Sequence, residues 1–87
     1  MPVNHPFLPN LHALRRQKGI SLDSISATTR IGKRYLEAIE RGAFTVLPGG
    51  VYNTSYIRQY ARAIDLDEQQ LLECYFAATP NAFRQYP

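Results

Sequence analysis

Three tyrosines fall within nine positions of the stretch VYNTSYIRQY: Tyr52, Tyr56 and Tyr60, directly after a Pro48-Gly49-Gly50 turn. A phenol ring offers a large apolar contact area and one hydroxyl, which suits a protein interface as well as the edge of a core. At about 100° per residue, Ile57, Tyr60, Ala61 and Ile64 share an arc of roughly 100°, so Tyr60 belongs to the core stripe of a helix. Tyr52 and Tyr56 lie about 90–140° from the centre of that stripe, beside Gln59 and Ala63 and one turn apart. Two readings stay open for this pair: packing against a loop that carries Phe44 and Leu47, or an exposed aromatic anchor for a partner. Arg58 and Arg62 lie towards the other flank, where they would add electrostatic steering to an acidic partner.

A second set of candidates sits upstream, in SLDSISATTRIGKRYLEAIERG. Two short helices joined by a tight turn give this unit the layout of a helix-turn-helix, whose second helix can lie in a groove of DNA. On its wheel Tyr35, Leu36 and Ile39 share the inner side, while Lys33, Arg34, Glu37 and Arg41 face out. The binding reading has Lys33 and Arg34 on DNA, with Arg30, Arg15 and Arg16 near phosphates. The plain reading is a solvated charged face. Asp23, Glu37 and Glu40 fall in the same unit and would repel phosphate, which argues against the first reading.

The remaining chemistry is sparse. His5 and His12 have no cysteine or carboxylate at ligand spacing and read as surface residues, so no metal site is expected. Pro48-Gly49-Gly50 is followed by no Lys-Ser/Thr and is a turn, not a phosphate loop. Asn53-Thr54-Ser55 matches a glycosylation sequon, but a cytoplasmic helix would not meet the machinery. Cys74 is a single cysteine that forms no intramolecular disulfide and fits as a small core residue. No nucleophile–base or acid–base constellation stands out, so neither an enzyme nor a cofactor is expected.

The elements that position these residues read as helices. The chain has 87 residues, 45% hydrophobic and 20% charged, enough for one small folded domain. Residues 1–62 hold nine of the ten Lys/Arg and three of the seven acids, whereas residues 63–83 hold four acids and no base. A basic front of this kind suits nucleic acid, an acidic protein or an anionic lipid surface, and sign alone does not choose. MPVNHPFLPN lacks the regions of a signal peptide, and no run approaches the roughly 18–20 apolar residues of a membrane span, so a soluble chain is expected.

Pro9 reads as a first-turn proline ahead of Leu11 and Leu14, with Leu8 on the same face and Gly19 as the stop. Ser21 caps a second helix whose inner face is Leu22, Ile25 and Thr29. Thr29 to Gly32 is a tight turn, and a third helix runs from about 33 to 41 and closes on Gly42. AFTVLPGG is a linker with Phe44 and Leu47 tucked beneath the domain. A fourth helix spans roughly 51–64. Asp67 caps a fifth that carries Leu71, Leu72, Tyr75 and Phe76, and Thr79-Pro80 stops it. The expected organisation is an all-α domain of five helices over 9–78, with an N-terminal arm over 1–8 and a tail over 79–87.

The helix-turn-helix unit resembles the Cro/C1-type, lambda-repressor-like family. The span from Leu11 to about Tyr75 resembles one branch more closely, the N-terminal cytoplasmic domain of the RodZ family of bacterial cell-shape proteins. The motifs that carry this are LRRQKGISLDSIS, RYLEAIERGAF, LPGGVYNTSYIRQYAR and IDLDEQQLLECY. The resemblance implies a compact five-helix fold, and a membrane-anchored protein whose cytoplasmic domain binds the actin homologue MreB. It also implies an aromatic pair at Tyr52 and Tyr56 as the contact, and a membrane span beyond Pro87 at the cytoplasmic face of the inner membrane. DNA-binding members of the wider family commonly place Gln after the position of Ser21, where this chain has Leu22. They favour Ser, Thr or Gln at the start of the reading helix, where this chain has Gly32-Lys33-Arg34-Tyr35. A DNA-binding regulator using Arg30, Lys33 and Arg34 is therefore the second expectation, and self-association through the domain is the third.

Overall fold

The computed structural model describes residues 8–79, so His5, Pro80 and most of the expected arm and tail lie outside the described residues. Five α-helices and one 3₁₀ turn make up the fold: α1 Leu11–Gln17, α2 Leu22–Thr29, α3 Lys33–Arg41, the 3₁₀ turn Phe44–Val46, α4 Val51–Ala63 and α5 Glu68–Ala78. There is no strand among the described residues, and the fold class is all-α as expected.

Local chemistry explains most of the helix ends. The side chain of Asn10 accepts the Ala13 N–H at 3.0 Å and starts α1, which leaves Pro9 outside the helix rather than in its first turn. Leu8 also precedes the helix, yet it packs against the core. Its Cδ2 lies 3.0 Å from where a Cβ on Gly42 would stand, a tight approach, and φ +72° at Gly42 is the left-handed backbone that favours glycine. Ser21 caps α2 by accepting the Ser24 N–H at 3.0 Å, and Asp67 caps α5 by accepting the Gln69 N–H at 3.0 Å.

The tight turn between α2 and α3 lies where expected. Arg30 adopts the left-handed conformation at φ 63°, and Ile31 drops into the core. Thr29 is half-buried, and its hydroxyl donates to Ile25 O at 2.7 Å and accepts the Ile31 N–H at 3.2 Å. It serves the turn rather than the inner face of α2. At the end of α4 Ile64 is the C-cap rather than a helical residue, and it is buried.

The core is assembled from Leu11, Leu36, Ile39, Ile57, Ile64 and Leu71, each essentially inaccessible, with Phe44 and Leu47 closing it from the linker. Burying one such aliphatic side chain is worth about 1.5–3 kcal/mol relative to leaving it exposed. Phe44 meets the ring of Tyr75 edge-on, with centroids 5.3 Å apart. Cys74 is buried in α5, where desolvation pushes its thiol above the ordinary value.

One polar cluster ties α1, α3 and α4 together. Arg15 Nε donates to Glu40 Oε2 at 2.5 Å, Arg15 Nη1 donates to Ile20 O at 2.9 Å, and the Tyr60 hydroxyl donates to the same Glu40 oxygen. This corrects two expectations. Arg15 is buried and bound to Glu40, so it is not a phosphate contact, and Glu40 is an interior partner rather than a surface acid. Burial works to raise the Glu40 carboxyl, but hydrogen bonds from Arg15 and Tyr60 outweigh it and hold the group below its ordinary value. The hydrogen bond to Glu40 raises Arg15 in turn, and Tyr60 is raised by burial first and by Glu40 second. His12, expected to be a plain surface residue, adds its Nδ1 to the rim, 3.0 Å from Arg15 Nη2.

Candidate protein-docking site

Helix α4 begins without a side-chain cap, after Gly49 at φ +111° and Gly50 at φ +59°. Both φ values favour glycine, so the Pro-Gly-Gly turn is what lets the chain swing from the linker into α4. Along α4 the buried residues are Asn53, Ile57, Tyr60 and Ala61. The stripe inferred from periodicity is therefore present, with Asn53 added to it.

Tyr52 is 60% exposed, and Tyr56, one turn on, is half-buried. Their rings lie 6.2 Å apart at 55°, and Tyr56 continues to Tyr35 of α3 at 5.8 Å and 42°. Tyr56 packs against the edge of the core and meets the ring of Tyr35 in α3, whereas Tyr52 stands in solvent. Arg34 closes this row: its guanidinium lies 4.7 Å from the Tyr35 ring centroid and donates to the Tyr35 hydroxyl at 2.7 Å. A cation over an exposed ring contributes about 0.5–1 kcal/mol. Val51, 65% exposed, precedes Tyr52 and extends the apolar surface.

Arg58 and Arg62 do not join the tyrosines. They line a separate groove of about 520 Å³ with Val51, Thr54, Ser55 and Gln59 on the outer side of α4. Arg62 is held by Glu68 of α5 at 2.5 Å, and the hydrogen bond raises Arg62 and lowers Glu68. Both groups are exposed, so solvent screens the pair.

The three residues of the DNA reading are all exposed, but two already have partners within the domain. Lys33 Nζ lies 3.2 Å from Asp23 Oδ1, and Arg34 is stacked on Tyr35. Arg30 is the left-handed cap of α2. No group of three or more His, Cys, Asp or Glu residues among the described residues could hold a metal. No helix of the described residues is long and apolar enough to cross a membrane.

Two participants escaped the sequence. Tyr35 is the third ring of the row, and only the packing of α3 on α4 brings it there. Asn53, read as part of a sequon, is buried: its Oδ1 accepts the Gly49 N–H at 2.7 Å and its Nδ2 donates to the Tyr75 hydroxyl oxygen at 3.1 Å.

Comparison with known proteins identifies the domain to which these helices belong. Residues 10–71 match the family described as Helix-turn-helix domain. The chain is similar to the uncharacterized membrane protein YmfM of Bacillus subtilis (strain 168), with 44% identity over 64 residues, 74% of this chain and 22% of that protein. It is also similar to the cytoskeleton protein RodZ of Streptococcus pneumoniae (strain ATCC BAA-255 / R6), with 38% identity over 65 residues, 75% of this chain and 24% of that protein. The chain therefore spans under a quarter of the length of either relative. No solved structure matches it significantly. With the family match covering most of the chain and reaching from α1 into the first turn of α5, the protein belongs to the helix-turn-helix domain family, in its RodZ-type form.

Proposed function

We propose that this domain is a cytoskeletal adaptor module that docks on an MreB-type actin homologue through the tyrosine face of α4. In that role it couples the filament to the membrane-associated machinery of cell shape, division and peptidoglycan synthesis, from the cytoplasmic face of the inner membrane. The observation that carries this reading is the row Tyr52–Tyr56–Tyr35, half-buried at Tyr35 and Tyr56 and open at Tyr52, which is 60% exposed beside the exposed Val51. The similarity to a cytoskeleton protein gives the class of partner. The arginine pair Arg58 and Arg62 supplies long-range attraction to an acidic filament surface rather than direct ring contact. The role is one of binding, not catalysis.

The competing role, a DNA-binding regulator, needs Arg30, Lys33 and Arg34 free to reach phosphates and base edges. Lys33 is shared with Asp23 and Arg34 with Tyr35, so that reading must first break contacts within the domain. Co-sedimentation with polymerised MreB tests the adaptor reading. The parent chain should pellet with the filaments, and Tyr52→Ala with Tyr56→Ala should weaken binding by about thirtyfold or more, the scale of one interface hot spot. Equal pelleting of parent and variant would sink the assignment. A shift of duplex DNA at near-physiological salt, abolished by Lys33→Glu, would favour the regulator instead.

A further inference from the structure

Side chains of Asn10, Ser21 and Asp67 cap α1, α2 and α5, whereas α3 and α4 open on Gly32 and Gly50, which have no side chain to offer. The two residues that follow Gly50, Val51 and Tyr52, have exposed side chains, and within this turn the Val51 carbonyl accepts the Thr54 hydroxyl at 3.2 Å. Asn53 is the first residue of α4 to be buried, at 7% exposure. Its amide works at both ends. The oxygen takes the N–H of Gly49 in the turn, and the nitrogen reaches the hydroxyl of Tyr75 in α5, 22 residues away. Tyr75 is itself fixed, 2% exposed and edge-on to Phe44. One side chain therefore joins a two-glycine turn, the first turn of α4 and the core.

We propose that Asn53 is the positioning residue of the docking face. It holds the first turn of α4 folded, so that Tyr52 meets a partner as a preformed anchor rather than on a frayed end. The inference rests on the docking reading given under Proposed function. Its specificity comes from the contrast between the two surface tyrosines. Tyr56 has a second ring contact in Tyr35 and sits a full turn inside the helix, so it does not depend on the anchor. Tyr52 has its ring contact with Tyr56 alone among the described residues, and its backbone is held through the residue next to it. Asparagine suits the task because it alone among short side chains presents a donor and an acceptor on one rigid group. Preorganisation of an aromatic anchor raises affinity by removing an ordering cost at the moment of binding.

The test has two arms on the 87-residue chain. In the first, ¹⁵N relaxation gives backbone order parameters for the parent and for Asn53→Ala. The account expects residues 49–52 to fall from about 0.85 to below about 0.6, with residues 56–63 unchanged. Unchanged values at 49–52 in a folded variant would overturn it. Should Asn53→Ala fail to fold, Tyr75→Phe removes one partner of the amide and keeps the ring. It should loosen the same residues to a smaller extent, and no change there would be equally fatal.

The second arm is a double-mutant cycle of binding to MreB filaments. Asn53→Ala and Tyr52→Ala should each weaken binding by roughly tenfold, and the double variant should be no weaker than Tyr52→Ala alone. Asn53→Ala combined with Tyr56→Ala should instead show the product of the two single effects. A general loss of stability would multiply with both, and that result would contradict a positioning role. If Tyr52→Ala binds as the parent does, the docking reading fails, and the order parameters alone decide whether Asn53 holds the turn.

Discussion

The five tyrosines of the described residues divide into two groups that differ in what becomes of the hydroxyl. Tyr60 and Tyr75 are buried, and each has a dedicated polar partner: Glu40 for one and Asn53 for the other. Tyr35, Tyr52 and Tyr56 form a row across α3 and α4 at the surface, and only Tyr35 has a hydroxyl partner among them, the exposed Arg34. The difference follows from desolvation. A buried phenol without a hydrogen bond costs about 1–3 kcal/mol, so the core admits a tyrosine only with a partner. At the surface water serves the hydroxyl, and the ring becomes what the domain presents. Interior tyrosines should thus control stability and surface tyrosines binding, and the two effects should separate cleanly.

The largest expected effect lies in the interior. Glu40→Ala leaves the Arg15 guanidinium buried without its carboxylate, which should cost about 3–5 kcal/mol, read as a drop in the urea midpoint. A loss below about 1 kcal/mol would break the contrast at its interior end. Tyr60→Phe removes one of the two donors to Glu40 and leaves Arg15 in place, so about 1–2 kcal/mol is expected by the same measurement.

The same carboxylate sets an acid limb. Its folded pKa is depressed, so its stabilisation is complete above the unfolded carboxylate range near about 4.3 and is lost as pH falls through the lower folded value. Urea midpoints measured from neutral pH downwards should fall in that window, and Glu40→Gln should flatten the decline. An identical decline in the variant would assign the acid limb elsewhere. The smallest effects belong to the surface. Tyr52→Ala should shift stability by no more than about 0.5 kcal/mol. Breaking the exposed Arg62–Glu68 pair with Arg62→Ala should leave the thermal midpoint unchanged within error.

What could be read from the sequence was local. Ser21 and Asp67 announce their helices by capping, Gly42 announces a stop, and the 3.6-residue period put Tyr60 in the core and Tyr52 outside it. What could not be read depends on residues far apart. Arg15 and Glu40 are 25 positions apart and Asn53 and Tyr75 are 22 apart, and no spacing rule pairs them. A charged residue on an amphipathic helix is expected in solvent, so Arg15 looked like a phosphate contact and Glu40 like a surface acid. Pro9 misled for a smaller reason: proline suits the first helical turn, but Asn10 beside it offers a capping oxygen, and the helix starts after the cap. Tyr35, expected on the inner side of α3 with Leu36 and Ile39, is only partly buried at the edge of the core, and its neighbour there is Tyr56, a tertiary fact.

The most direct test of the division takes two variants through two measurements. Thermal unfolding and binding to MreB filaments are recorded for Tyr52→Ala/Tyr56→Ala and for Tyr60→Phe. The account predicts that the surface double variant loses binding by about thirtyfold or more at temperatures below its own transition. It predicts that Tyr60→Phe lowers the midpoint by roughly 4–15 °C and binds as the parent does below its transition. Parent-like binding by the double variant, or weakened binding by a folded Tyr60→Phe, would contradict it.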